Sequence, residues 1–268
     1  MPRRQGCAVH LSEHVIRSVL APNPSPMTLD GTRTYLVGRR RLVVIDPGPD
    51  MDTHLDAVAD AVGDGVVVAV LLTHTHPDHA AGAERLAERL GAPLHAAAHG
   101  RLRDGDTFES DAGDVVAVAT PGHTPDHFSF HFPVADAVFC GDLMTGGMDT
   151  ALVAKPEGDL TEYLASLERI RALAPRVIHP AHGPAFVGDV GAAIDAYIRH
   201  RQEREAQVLA ALEAGAASLD DIARHVYGRK LHLTLREFTR GTTAAYLEHL
   251  ERAGKVRRTP TGWEALED

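Results

Sequence analysis

The chain has 268 residues, 44% of them hydrophobic, and a formal net charge of −10 from 27 Lys and Arg against 37 Asp and Glu. This length is enough for one large domain and a smaller module, and the acidic balance counts against a dedicated nucleic-acid binder. No apolar run approaches the roughly 18 residues that a transmembrane helix needs.

Strand-like and helix-like segments alternate along the first two thirds of the chain. A strand is predicted at 34–37 after the proline-rich residues 22–26, and aliphatic runs predict further strands at 42–45 and 66–72. Apolar residues at helical spacing predict helices such as the one at 160–173. Phe128, Phe130 and Phe132 alternate with polar residues, as on a half-buried strand. The mixture indicates an α/β protein in which helices cover two sheets.

The pattern changes near residue 192, where a long helical segment runs to about 214. A capping-box sequence at 218–221 opens a short helix, a further helix is predicted at 242–253, and a hairpin follows at 255–266. Three helices and a hairpin resemble a winged helix. We therefore divide the chain into a catalytic domain, 1–198, and a winged-helix-like domain, 199–268. The second has a net charge of +1 and the first of −11, so duplex DNA is not the favoured partner of this module.

The most informative segment is Thr73-His74-Thr75-His76-Pro77-Asp78-His79, directly after an apolar run. Imidazole and carboxylate groups are ligands that suit zinc, iron or manganese. At the end of a strand, side chains two residues apart point in the same direction, so His74 and His76 should point toward the same position. Asp78 and His79 follow the turn at Pro77. A catalytic zinc usually takes three protein ligands, and the surplus therefore predicts two metals that share further ligands downstream.

Three later loops carry candidates for those ligands, each after a strand-like run and beside Gly or Pro. They are His123, Asp142 and His182. Two histidines close to these candidates, His127 and His179, either orient a ligand through a hydrogen bond or simply pack. The other histidines are interpreted as surface or half-buried residues: His10, His14, His54, His95, His99, His131, His200, His225, His232 and His249.

These motifs, read as H-x-H-x-D-H, G-H-T, G-D and H-G-P in this order, resemble those of the metallo-beta-lactamase superfamily of dinuclear metal hydrolases. The resemblance implies an αββα sandwich with the metals at one edge. It implies one metal held by His74, His76 and His123, another held by Asp78, His79 and His182, and Asp142 bridging them. Asp46, at the end of the 42–45 strand, matches a superfamily position near the metals and is interpreted as supporting a ligand rather than binding metal.

Further segments, at 23–32, 102–106 and 197–201, are similar to those of the beta-lactamase-like-protein-2 subfamily. Animal members of that subfamily are single-strand endoribonucleases, and fungal relatives are thioesterases that release polyketides. Two departures, Arg33 and Met148-Asp149-Thr150, are expected near the pocket mouth and favour an altered substrate. The inserted domains with which dedicated RNA-processing enzymes clamp RNA are missing from the sequence.

The resulting hypothesis is a hydrolase with two Zn²⁺ ions, Mn²⁺ or Fe²⁺ being alternatives, that attacks an ester, thioester or lactone with a metal-bridging hydroxide. Asp78 would pass the proton onward as a catalytic residue, and His127 would stabilise developing negative charge. An all-histidine first site favours zinc over the oxygen-reducing di-iron branch of the superfamily, which typically carries Glu where this chain has His76.

Two alternatives stay open at this point: a single-strand endoribonuclease, and a metal-stabilised regulator that binds DNA or protein. We expect a small-molecule acyl substrate, with RNA and a homodimer as further options and no membrane partner. Cys7 and Cys140 are too few for a disulfide framework and the N-terminus has no apolar secretory core. The expected location is therefore the cytoplasm.

Overall fold

The computed structural model describes residues 15–148, 150–228 and 233–266, with the side chains of 233–235 left out. The predictions made for Cys7, His10, His14, Asp149 and His232 lie outside the described residues. Two mixed sheets and their covering helices confirm the α/β class.

The first sheet has five strands in the order β1 to β5. They are β1 (Ile16–Leu20), β2 (Arg33–Val37), β3 (Arg41–Ile45), β4 (Val66–Leu71) and β5 (Leu94–His95). The pairs β1–β2 and β2–β3 are antiparallel, whereas β3–β4 and β4–β5 are parallel. Nearly every residue of β3 and β4 is aliphatic because both faces of these interior strands are covered.

The second sheet has six strands in the order β11-β10-β9-β8-β7-β6. They are β6 (Thr107–Ser110), β7 (Gly113–Ala119), β8 (Phe128–Phe132), β9 (Ala137–Gly141), β10 (Val177–Pro180) and β11 (Phe186–Val187). Only β9 and β10 pair in parallel. The prediction of a half-buried β8 is wrong at Ser129, which is fully buried and whose hydroxyl is satisfied by a hydrogen bond with Thr120 Oγ1 at 2.9 Å.

The two sheets pack face to face through apolar side chains. Tyr35, Val43 and Ile45 of the first sheet share one buried cluster with Phe130 and Phe139 of the second. Helices α1 (Asp52–Val62), α2 (Pro77–Ala80) and α3 (Ala83–Leu90) follow strands of the first sheet, and α4 (Leu160–Ala172) packs on the second. The layers are therefore helix, sheet, sheet, helix, as the family resemblance implies.

The C-terminal part comprises α5 (Val190–Glu213), α6 (Leu219–Tyr227), α7 (Leu233–Arg252), β12 (Val256–Thr259) and β13 (Gly262–Ala265). Helix α5 runs unbroken across the predicted boundary at 198/199, and α7 begins at Leu233 rather than at the predicted residue 242. Tyr197, Tyr246 and Leu250 belong to the same buried cluster as Leu167 of the sandwich. The winged-helix domain stays a prediction. No described helix combines the length and apolarity that a bilayer crossing requires.

Candidate metal centre

The loop after β4 is fixed in place by Asp46, which follows β3. Asp46 adopts a left-handed backbone with φ of 52°, and its carboxylate accepts hydrogen bonds from Thr73 N and Thr73 Oγ1, both at 2.8 Å. The same carboxylate lies 2.9 Å from His79 Nδ1. Asp46 therefore orients a candidate ligand from behind, the role that the sequence indicates for it.

Seven side chains from four loops converge at the carboxyl ends of the central strands. Three groups have ligand atoms that all lie within 4.8 Å of one another: His74, His76 and His123; His74, His79 and Asp142; and Asp78, His79 and His182. The first and last groups are the two ligand sets implied by the resemblance. Asp142, the implied shared ligand, belongs to neither of them. The middle group connects them through His74 and His79.

Asp142 lies between the two outer groups. Its Oδ2 is 3.7 Å from His123 Nε2 in the first group, whereas its Oδ1 is 3.4 Å from His79 Nε2 and 3.3 Å from His182 Nε2. The two oxygens of one carboxylate thus face different sets of imidazoles. This placement is compatible with a carboxylate that contacts cations in either group.

Divalent metal ions fit this arrangement because several of its polar atoms lack partners. His79 Nε2, His182 Nε2 and Asp142 Oδ1 are buried and have no hydrogen-bond partner, although contacts of 3.3–3.4 Å join the two nitrogens to the oxygen. Leaving buried donors or acceptors unpaired is costly, and a cation that accepts their lone pairs would satisfy all three. Imidazole nitrogens with carboxylate oxygens form a donor set that zinc, iron and manganese accept.

Most ligand imidazoles are held by a hydrogen bond at the ring nitrogen that faces away from the centre. His123 Nδ1 lies 2.7 Å from the Leu152 carbonyl, and His182 Nδ1 lies 3.2 Å from the Gly31 carbonyl. His76 is half-buried, and its Nε2 lies 3.0 Å from Glu157. Such partners fix the tautomer and the ring orientation. Sequence reasoning missed these partners because a backbone carbonyl leaves no side-chain signature and Glu157 is 81 residues from His76.

The charges at the centre balance one another. Burial alone raises the pKa of Asp142, but the neighbouring His79 and His182 hold that pKa well below its usual range. Burial alone lowers the pKa of His182, yet the carboxylates of Asp142 and Asp78 raise it to about 9. Without a metal, the His182 ring is therefore protonated near neutral pH. Binding of a divalent cation displaces protons from such a site.

Asp78 differs from the other carboxylate in its access to solvent. Its side chain is 30% exposed and its Oδ2 lies 3.2 Å from His182 Nε2. It therefore faces both the second ligand group and the open cleft. This position suits the predicted role in accepting a proton.

The structure contradicts the prediction that His127 stabilises negative charge on a substrate. His127 is 1% exposed, its Nε2 accepts a hydrogen bond from Asp142 N at 3.2 Å, and its Nδ1 lies 3.0 Å from Thr120 Oγ1. Burial lowers the pKa of His127 to about 3, so the ring is neutral. Both ring nitrogens are therefore occupied, and His127 positions the backbone of Asp142.

Two further histidines pack in the interior. His179 stacks on Phe139 with 5.2 Å between ring centroids and an angle of 20°, which favours the packing alternative over a ligand-orienting role. His54 is 1% exposed rather than a surface residue, and its Nε2 lies 2.9 Å from Thr34 Oγ1.

A cleft of about 410 Å³ opens onto the centre. Candidate ligands on its wall are His76, Asp78, His123 and Asp142, and residues of the N-terminal loop on its wall are Pro26, Met27 and Leu29. The opposite wall comes from the C-terminal helices and includes His200, Arg201, Arg204, Tyr227, Phe238, Thr239, Thr242 and Tyr246. The C-terminal part is therefore a wall of the candidate active site.

The two segments expected near the pocket mouth differ in their contact with this cleft. Met148 and Thr150 line it. Arg33 is not among the lining residues, and its guanidinium is paired with both oxygens of Asp30 at 3.1 and 2.6 Å. Asp30 also accepts a hydrogen bond from Gly183 N at 3.2 Å. Arg33 therefore supports the loop that follows His182, and its effect on the substrate stays a prediction.

An αββα sandwich whose strand ends gather histidines and aspartates around one cleft is the architecture of a metal-dependent hydrolase. The chain belongs to the metallo-beta-lactamase superfamily, whose family model matches residues 27–109 and 99–182. Within it, the relatives place the chain in the beta-lactamase-like-protein-2 subfamily.

Two relatives illustrate this membership, and one solved structure shares the fold. The chain is 30% identical to the beta-lactamase-like protein 2 homolog of Caenorhabditis elegans, covering 81% of this chain and 77% of the relative. It is 32% identical to the lactamase-like protein aptB of Emericella nidulans, covering 96% and 82% of the two chains. The fold is similar to that of a beta-lactamase domain protein from Burkholderia ambifaria, with a TM-score of 0.78, 24% identity and coverage of 94% and 91%.

Proposed function

We propose that this protein is a dinuclear zinc-dependent hydrolase of an ester, thioester or lactone. The observation that carries the proposal is the placement of Asp142, whose two carboxylate oxygens face different histidine groups. A carboxylate so placed can reach an ion held by either group.

Zinc is the proposed metal because imidazoles dominate the donor set. His74, His76 and His123 would hold one ion; Asp78, His79 and His182 would hold the other; Asp142 would be shared. When bound, zinc supplies Lewis-acid polarisation of a carbonyl and lowers the pKa of water to near neutrality.

The protein's own groups supply orientation and proton transfer. Asp78, partly exposed in the cleft, accepts the proton that water loses and passes it toward the leaving group. Asp46 and the Leu152 carbonyl keep His79 and His123 in their orientations. Met27, Leu29 and Phe238 give the cleft apolar surface, which suits an acyl chain.

Ribonuclease activity is a second candidate, favoured by Arg201 and Arg204 on the cleft wall. Guanidinium groups bind phosphates well. The net charge of −10 argues against a long RNA footprint, because backbone binding depends on many cationic contacts.

The test is turnover by metal-analysed, zinc-loaded protein of a panel of thioesters and lactones beside single-stranded RNA. Asp142→Ala serves as the blank, and Asp60→Ala, at an exposed position of α1, serves as the matched control. We expect acyl turnover that falls at least 100-fold in Asp142→Ala, by analogy with other essential catalytic groups, and stays at the parent rate in Asp60→Ala. Cleavage of RNA alone would establish the ribonuclease instead, and full activity of Asp142→Ala would rule out the shared-ligand site.

A further inference from the structure

Two arginines on the cleft wall carry positive charge that no carboxylate neutralises within the described part of the chain. Arg201 is 2% exposed. It donates to the Ala151 carbonyl at 2.5 Å and to Tyr246 Oη at 3.4 Å, and its guanidinium lies 4.8 Å above the Tyr163 ring. All of these partners are neutral groups. The Nε of Arg201 is buried without any hydrogen-bond partner.

Arg204 lies one turn further along α5 and is half-buried. Its guanidinium donates to Gln207 Oε1 at 2.8 Å and to the Val226 carbonyl at 3.5 Å, and it lies 4.6 Å from the centroid of the Tyr227 ring. These partners are neutral too. The neighbouring acid Glu205 is engaged elsewhere, with His249 at 3.3 Å and Lys255 at 3.9 Å.

Carboxylates are abundant in this chain, which has a net charge of −10. Several other arginines are paired with one: Arg33 with Asp30, Arg89 with Asp56, Arg169 with Asp104, Arg171 with Asp195, Arg240 with Asp220 and Arg252 with Asp159. Arginine cannot lose its proton, so a buried guanidinium without a counter-ion is costly. An arriving anion would offset that cost.

We propose that Arg204 and Arg201 form an anion-binding wall of the cleft, so that the substrate carries a carboxylate or phosphate besides the bond that is cleaved. The inference rests on the proposed hydrolase function and adds a substrate class to it. Arg204, the more accessible of the two, contacts the anion, and Arg201 contributes positive potential from behind. The cleft volume of about 410 Å³ suits one small molecule.

The anion could lie on the acyl chain or on the leaving group, and the experiment separates the two. Three thioesters of equal acyl length are compared: one neutral at both ends, one with a terminal carboxylate on the acyl chain, and one with a phosphate on the thiol. Non-hydrolysable thioether analogues of the three are titrated calorimetrically into zinc-loaded protein, so that binding is measured apart from turnover.

We expect one anionic thioether to bind about tenfold more tightly than the neutral one, as a charge-assisted hydrogen bond predicts. In Arg204→Gln the ratio of the two dissociation constants should fall toward one. Arg204→Lys, which keeps the charge, should retain part of the ratio. Arg199→Gln is the matched control, because Arg199 is an exposed arginine of the same helix, and it should keep the full ratio.

Equal binding of all three thioethers, or equal loss of the ratio in Arg199→Gln and Arg204→Gln, would overturn the anion-binding wall. Failure of this inference and failure of the hydrolase proposal give different results. Preference for an anion without turnover of any thioester would count against thioester hydrolysis and keep the anion-binding wall, whereas turnover without preference would keep the hydrolase and overturn the wall.

Discussion

Arg201 donates a hydrogen bond of 2.5 Å to the carbonyl of Ala151. The next carbonyl along the chain, that of Leu152, lies 2.7 Å from Nδ1 of His123. The Arg201 side chain, on helix α5, thus holds the peptide segment that orients His123, a candidate metal ligand of the sandwich. The link adds a polar connection to the buried cluster that the two parts of the chain share.

Arg201→Gln should therefore lower both stability and zinc content. The shorter amide cannot keep the bonds to Ala151 and Tyr246, and losing bonds to a buried charged group costs about 1.5–3 kcal/mol. Urea unfolding and metal analysis of the purified variant check this. Arg199→Gln on the same helix should change neither quantity, and a normal zinc content in Arg201→Gln would contradict the link to His123.

Asp46→Asn should weaken zinc binding roughly 10–100-fold, the usual effect of removing a carboxylate behind a ligand histidine. The amide nitrogen cannot accept the bonds that Thr73 and His79 now give to the carboxylate. Competition with a chromophoric chelator measures the affinity. Asp64→Asn, at an exposed loop position, is the control, and equal affinities of the two variants would show that Asp46 does not support the metal.

Gly122→Ala should be far more harmful than Gly188→Ala. Both glycines have positive φ, 127° and 96°, so each substitution has a backbone cost of about 1–3 kcal/mol. At Gly122 a Cβ would also lie 2.3 Å from Tyr163 N, whereas at Gly188 it meets nothing within 4 Å. Because Gly122 precedes His123, its variant should lose zinc as well as stability; thermal unfolding and metal analysis of both proteins measure the difference. Similar stability and zinc content in the two variants would contradict this.

His179 should make stability depend on pH. Burial lowers the pKa of His179 from 6.5 to about 4. Between these values the unfolded chain takes up a proton that the folded protein does not, so stability falls as pH decreases from 7 to 4, by an amount on the order of 3 kcal/mol. His179→Phe keeps a ring against Phe139 and removes the titration.

The free energy of unfolding, measured with urea at pH 7 and pH 4.5 in the presence of a chelator, should therefore drop less in His179→Phe than in the parent. Only the difference between the two drops is compared, so that other titrating groups cancel. Equal drops would mean that His179 is protonated in the folded protein.

The sequence identifies the candidate ligands that the structure brings together because their chemistry is local: imidazoles at spacing two after a strand, and Gly or Pro beside each later candidate. The sequence does not predict most of the hydrogen-bonding groups that orient these residues. Leu152 and Gly31 act through backbone carbonyls, which any residue provides. The error at His127 and the unpredicted ion pair of Arg33 have a related cause, since burial and an ion pair to Asp30 depend on tertiary packing that a one-dimensional pattern does not contain. The early start of α7 belongs to the same group of errors.

Helix α5 also constrains how this chain can change in length. Tyr197 lies on the helix where it contacts the sandwich, donating to the Thr145 carbonyl at 2.8 Å, and Arg201 and Arg204 follow one and two turns later. Each residue added to a helix rotates everything beyond it by about 100°. A one-residue insertion between Tyr197 and Arg201 would turn both arginines away from the cleft, although no residue of the original sequence would be lost. The spacing within this helix is therefore as much a part of the candidate site as the identity of its residues.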